Sequence, residues 1–74
     1  MNKNRRKEIV EKIKSLETIK DRLETILSDE EYYFDNMPEN LQGSMRGEES
    51  QEAIDIIAEA IDTLQEVCDN LEEI

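Results

Sequence analysis

The chain has 74 residues, of which 39% are charged and 36% hydrophobic, and its formal net charge is −11. A chain of this length forms one small domain, which usually needs disulfides, a metal or oligomerisation for stability. Because there is one Cys and no His, an intramolecular disulfide is excluded and an ordinary zinc site is disfavoured. No apolar run approaches the ~20 residues of a membrane span, so we expect a cytoplasmic protein without membrane contact.

The first predicted helix runs over residues 5–35. Its apolar residues occupy three positions of each heptad, and this stripe is wider than one neighbouring helix can cover, which favours a bundle. Lys12 and Glu30 interrupt the pattern. The apolar positions are Ile9, Leu16 and Leu23 at a, Ile19, Ile26 and Tyr33 at d, and Ile13, Leu27 and Phe34 at e.

A linker over residues 36–44 is predicted to follow. Pro38 ends the first helix and suits the start of a single helical turn. Ser44 is a candidate N-cap for the second helix. Gly47 is expected to weaken the first turns of that helix by up to ~1 kcal/mol relative to Ala.

The second predicted helix, over residues 45–73, repeats a heptad three times. Apolar residues that recur alternately three and four positions apart over several turns predict a helix that packs along its length. The apolar residues of this repeat are therefore the candidate oligomer core. They are Ile54, Ile57, Ile61, Leu64, Cys68 and Leu71. Cys68 is interpreted as a small buried hydrophobic residue.

An acidic stripe lies on the opposite side of the same helix. Its residues have the same three-and-four spacing, and they are the candidate partner-binding residues: Glu52, Asp55, Glu59, Asp62, Glu66, Asp69 and Glu73. Residues 47–74 contain ten acids and no Lys or Arg, whereas residues 1–27 have a net charge of +3. Direct binding of nucleic acid is therefore not expected, because affinity for phosphates depends on clustered basic residues. A basic protein is the favoured partner.

The predicted fold class is all-α. We expect an antiparallel two-helix hairpin, formed by one domain over residues 1–74, that dimerises into a four-helix bundle. Antiparallel packing places the basic start of the first helix beside the acidic end of the second. Each charge cluster is unfavourable for its own helix dipole, and this arrangement offsets both.

An apolar anchor for a partner is predicted near the linker, at Tyr32, Met37 and Met45, since aromatic residues and Met are enriched at interfaces. No catalytic site, cofactor or metal site is predicted. The carboxylates lie on a solvated helix face without a cleft, and the chain has no His to activate Cys68 as a nucleophile.

The segment Met37-Pro38-Glu39-Asn40-Leu41-Gln42-Gly43-Ser44, followed by Ala/Ile/Asp heptads, resembles a group of small acidic helical proteins. These proteins are encoded in phages and prophages of Gram-positive bacteria. The resemblance covers the linker and the second helix. It implies a setting in the cytoplasm of a bacterial host, and it implies no particular activity.

Three functions are compatible with these features. The first is a non-enzymatic inhibitor whose acidic stripe mimics nucleic acid and occupies the basic nucleic-acid-binding surface of a host defence or DNA-processing protein. The second is a structural oligomerisation or adaptor protein, for which reversing the acidic charges would leave activity intact. The third is a sponge for a nucleotide messenger, which nucleotides would stabilise against heat.

Overall fold

The computed structural model describes residues 1–74 and contains three helices, α1 (Lys3–Asp35), α2 (Glu39–Gln42) and α3 (Met45–Glu72). The two long helices pack against each other, so the molecule is a rod with principal extents of 58 × 15 × 13 Å. The prediction of an all-α protein is confirmed. No helix combines the length and the apolar character that crossing a membrane requires.

Helix α1 begins two residues before the predicted start at Arg5. The earlier start has a local cause, because the Asn2 side chain accepts a hydrogen bond of 2.8 Å from the Arg5 backbone N–H. Such a cap satisfies one of the free donors at a helix start. At the other end, the Asn36 side chain donates a 2.7 Å hydrogen bond to the Tyr32 carbonyl, and Pro38 follows.

The linker contains α2, a single helical turn that packs against α3 and is hydrogen-bonded to the end of α1. The Gln42 side chain donates a hydrogen bond of 3.1 Å to the Phe34 carbonyl at the end of α1. Ser44 is the N-cap of α3, as predicted, and its side chain accepts from the Gly47 N–H. The linker is thus tied to the last turn of α1 and to the first turn of α3.

Gly47 has a structural role that the sequence did not reveal. A Cβ atom at this position would lie 2.1 Å from the Gln42 carbonyl oxygen and 2.5 Å from the Leu41 carbonyl oxygen. Only a residue without a side chain lets the backbone of α2 approach α3 this closely. The helix weakening expected at Gly47 is therefore accompanied by a packing requirement.

We call the surface along which α1 and α3 pack the seam. On α1 it is formed by residues that are spaced alternately four and three positions apart. Every residue in this row is buried or half-buried, and its last member lies just beyond the helix: Ile9, Ile13, Leu16, Lys20, Leu23, Leu27, Glu30, Phe34 and Met37. On α3 the facing row includes all six predicted core residues, from Ile54 to Leu71, together with Gly47 and Ser50. Cys68 is a free, buried thiol, in agreement with its interpretation as a small core residue.

Two polar pairs cross the seam. The Ser50 hydroxyl donates a 2.5 Å hydrogen bond to a Glu30 carboxylate oxygen, and the Lys20 ammonium donates to the Gln65 side-chain oxygen. The two pairs occur in opposite order on the two helices: Lys20 precedes Glu30 on α1, whereas its partner Gln65 follows Ser50 on α3. Each pair supplies a polar partner for a charged residue within an otherwise apolar seam.

The d-position row of α1 lies outside this seam. Ile19, Ile26 and Tyr33 are all exposed, and Ile19 retains 51% of its accessible surface. Tyr33, which the sequence pattern places at a d position, is 46% exposed within the single chain. Lys20 and Glu30 take the seam positions beside these residues, because α3 offers Gln65 and Ser50 as polar partners.

Candidate protein-binding surface

The acidic stripe of α3 forms a continuous surface, which we call the acidic ridge. It consists of Glu52, Asp55, Glu59, Asp62, Glu66, Asp69 and Glu73, and every one of these residues is exposed. Because the residues alternate between spacings of three and four, successive carboxylates rise ~5 Å along the helix axis. Helix geometry therefore turns the sequence spacing directly into a line of negative charge.

Two glutamine side chains orient part of the ridge. Gln51 donates a hydrogen bond of 3.0 Å to Asp55, and Gln65 donates one of 2.9 Å to Asp69. Both pairs have the i,i+4 spacing that brings side chains together on a helix surface. The spacing is visible in the sequence, so these positioning residues could have been identified from it.

Eight of the nine bases lie on α1, and the ninth, Arg46, lies in the first turn of α3, before the first ridge residue. Lys20 reaches across the seam but contacts the Gln65 amide. At the open end of the rod, where α1 starts and α3 ends, Arg6 and Lys14 line a groove together with Glu72. Residues of opposite charge therefore border the same groove at this end.

The carboxylates are spread along the ridge and not gathered into a cluster. No group of three or more His, Cys, Asp or Glu side chains is arranged to hold a metal ion. Spacing of this kind offers repeated single charges to an extended partner. Basic side chains on another protein are the natural complement of such a surface.

The predicted apolar anchor is divided by the structure. Tyr32 and Met37 line a shallow groove beside the linker, together with Pro38, Leu41 and Arg46. Met37 is only 8% exposed and forms part of the groove floor, whereas Met45 is 76% exposed and does not line this groove. Tyr32 is thus the member of the predicted anchor that both lines the groove and projects into solvent.

The six candidate oligomer-core residues all lie in the seam between α1 and α3. Ile54, Ile57 and the four that follow are half-buried, except Cys68, which is fully buried. Within one chain their partners are residues of α1. The half-buried state of this row reflects how little of α3 a single neighbouring helix can cover.

Comparisons of the chain with models of protein families, with curated proteins and with solved structures found no significant match.

Proposed function

We propose that this chain is a non-enzymatic interaction protein whose acidic ridge occupies a basic, nucleic-acid-binding surface of a host protein. The observation that carries the proposal is the line of seven exposed carboxylates, six on α3 and Glu73 directly after it, and α3 has no Lys or Arg after Arg46. A helix face that needs only to be soluble normally mixes signs, because like charges at i,i+4 are mildly destabilising. A ridge of one sign therefore favours a role in binding.

The spacing of the ridge supports mimicry of nucleic acid. Carboxylates that rise ~5 Å apart approach the spacing of phosphates along a strand, so one Lys- or Arg-lined groove can accept either. Charges of this kind mainly raise the association rate and select the partner. Tight binding also needs a buried contact, which Tyr32 and the groove beside the linker supply in this proposal.

We infer that α1 and α3 are the two arms of an antiparallel hairpin and that two hairpins form a four-helix bundle. The opposite order of the cross-seam pairs, Glu30 with Ser50 and Lys20 with Gln65, supports the antiparallel direction. The exposed apolar row of α1 supports the bundle. In a dimer of this form, both acidic ridges remain on the outside.

The resemblance of the linker to small phage and prophage proteins supports a setting in the cytoplasm of a bacterial host. In this setting, a defence or DNA-processing protein with a basic groove is a suitable target. The ridge would block that groove without any chemical step.

The proposal is tested by binding to a partner captured from a Gram-positive host lysate at low salt. The test variant reverses three ridge charges, Asp55→Lys, Asp62→Lys and Asp69→Lys. We expect it to weaken binding at least ~100-fold, since each lost charge pair contributes about 1 kcal/mol or more.

A matched control reverses three exposed acids of α1, Glu11→Lys, Asp21→Lys and Asp29→Lys, and so makes the same change in net charge. This control should keep affinity within about threefold. Raising the salt to about 0.5 M should weaken the wild-type complex at least ~10-fold, because exposed charges are screened. Equal losses in both variants, or an affinity that does not depend on salt, would contradict a specific role for the ridge.

A further inference from the structure

Helix α3 carries a third surface that neither the seam nor the acidic ridge includes. Ala53, Ile56, Ala60, Thr63 and Val67 follow the same spacing of three and four residues, and none of them is charged. Ile56 is 60% exposed. Glu49 precedes this row and lines a groove with Ala53, but none of the eight acids from Glu52 onward falls within it.

Helix α1 contributes Ile19, Ile26 and Tyr33 to the same side of the rod. Tyr33 and Ala53 line one groove with Glu30, Arg46, Glu49 and Ser50, which places the ends of both rows together and puts charged residues at their border near the linker. Residues seven apart share a helix face, so Ile26 and Ile19 continue the row from Tyr33, and Ala60 and Val67 continue it from Ala53. We call this combined surface the uncharged face.

The opposite side of the rod has a different composition. There Val10 and Glu17 line a groove with Leu71 and Glu72, and Gln65, which contacts Lys20, also donates to Asp69 of the ridge. Charged residues therefore border the seam on that side. Charged residues also border the uncharged face near the linker, but exposed large hydrophobic residues are concentrated on that face, at Ile19, Ile26, Tyr33, Ile56 and Val67.

The exposed area is large enough for a stable interface. A compact protein of 8.7 kDa is expected to expose about 4,700 Å², whereas this chain exposes 5807 Å². The excess is about 1,100 Å² per chain, and a specific interface of ordinary size buries about 800 Å² on each partner. The excess exposed area of the chain is therefore sufficient for an interface of that size.

We propose that a second copy of this chain covers the uncharged face, with Ile19 and Ile26 of each chain at the centre of the contact. The proposal rests on the four-helix bundle proposed above and identifies the surface that forms it. The residues of the two rows carry no charge that a basic protein could pair with, whereas a second copy brings an equally apolar surface. The approach also leaves the ridges of both copies facing outward, where their mutual repulsion is screened by solvent and salt.

Sedimentation equilibrium of the full chain tests the proposal. The wild type should have twice the 8.7 kDa chain mass, and Ile19→Glu should raise the dimer dissociation constant at least ~100-fold, because each copy would bury a carboxylate without a partner. Val10→Glu is the matched control, since Val10 and Ile19 are 50% and 51% exposed on opposite sides of the rod. It should leave the dimer intact.

Ile56→Glu provides a second variant on α3, at a position exposed enough to tolerate the charge within one chain. It should also weaken the dimer, and circular dichroism should show that the helices remain. A monomeric wild type would overturn the proposal, even if the uncharged face then bound another protein. Dissociation by Val10→Glu with no effect of Ile19→Glu and Ile56→Glu would overturn it as well.

The triple reversal of Asp55, Asp62 and Asp69 separates this proposal from that of the ridge. Its mass should remain that of the dimer while its affinity for the host partner falls. A dimer that keeps its partner after the reversal would count against the ridge alone. If the wild type were a monomer and lost its host partner when the ridge charges were reversed, the result would count against the uncharged face alone.

Discussion

The two ends of the rod are held together in different ways. At the linker end, α2 adds a third element, and Met37, Gly47 and Ser50 are buried. At the open end the two long helices meet alone, Val10 and Ile74 remain about half exposed, and an open groove separates Arg6 from Glu72. One helical turn in a linker thus supplies tertiary contacts that a pair of bare helices lacks, and we expect stability to be concentrated there.

The largest loss of stability should follow Gly47→Ala at the linker end. A Cβ atom would overlap the Gln42 carbonyl oxygen at 2.1 Å, so the linker must move away from α3. We expect a destabilisation of about 3 kcal/mol, which exceeds the gain of up to ~1 kcal/mol in helix propensity. Urea denaturation followed by circular dichroism measures the difference.

Gly43→Ala is the matched control, because no atom lies within 4 Å of its Cβ position and its φ of −86° is open to any residue. Its stability should equal or slightly exceed that of the wild type. If Gly47→Ala proved as stable as Gly43→Ala, the close contact between α2 and α3 would not exist in solution.

A smaller loss is expected from Met37→Ala. Met37 is 8% exposed and lies between the end of α1 and the linker, so truncation leaves a cavity that costs about 2 kcal/mol. Met45→Ala, on the other side of the linker, removes the same atoms from a side chain that is 76% exposed and should change stability by less than ~0.5 kcal/mol. The measurement is thermal melting of both variants. If the two melting curves coincided, the linker end would be no better packed than the surface.

Ser50→Ala tests the polar pair that joins the linker end of α3 to α1. The variant removes the donor to the Glu30 carboxylate, and the loss should be about 1 kcal/mol because Glu30 remains partly accessible to water. The double variant Glu30→Leu with Ser50→Ala should recover this loss, since an apolar pair needs no hydrogen bond. A double variant less stable than Ser50→Ala alone would contradict this account of the pair.

The smallest effect should come from Asn2→Ala at the open end. The variant removes the cap on the Arg5 N–H and should cost about 0.5 kcal/mol. Hydrogen exchange should accelerate in the first turns of α1, while amides near Met37 and Ser50 keep their protection. Equal acceleration at both ends would mean that the rod opens as one unit and that the ends do not differ in stability.

Much of the fold follows from local patterns. The heptads of α3 indicate the row from Ile54 to Leu71, which is buried or half-buried in the single chain, and the N-cap at Ser44 was evident from its position before an acidic first turn. The exposure of the acidic ridge was equally predictable. Spacings of three and four residues within one helix determine which side chains share a face, without reference to any other part of the chain.

The choice of rows on α1 was not predictable in the same way. Three rows of α1 carry apolar residues, and hydrophobicity alone favours Ile19 and Ile26 over Lys20 and Glu30 as seam residues. The structure places Lys20 and Glu30 in the seam because Gln65 and Ser50 lie opposite them. The need for glycine at position 47 likewise depends on where the backbone of α2 lies.

The amino-acid sequence by itself thus determined the two long helices and the line of charge along α3, since both depend on residues within a few positions of one another. Only the tertiary structure decided which side of α1 meets α3 and which apolar row remains uncovered. Those outcomes depend on partners that are 20 to 45 residues apart, and the rotation of one helix against another is set by both surfaces together.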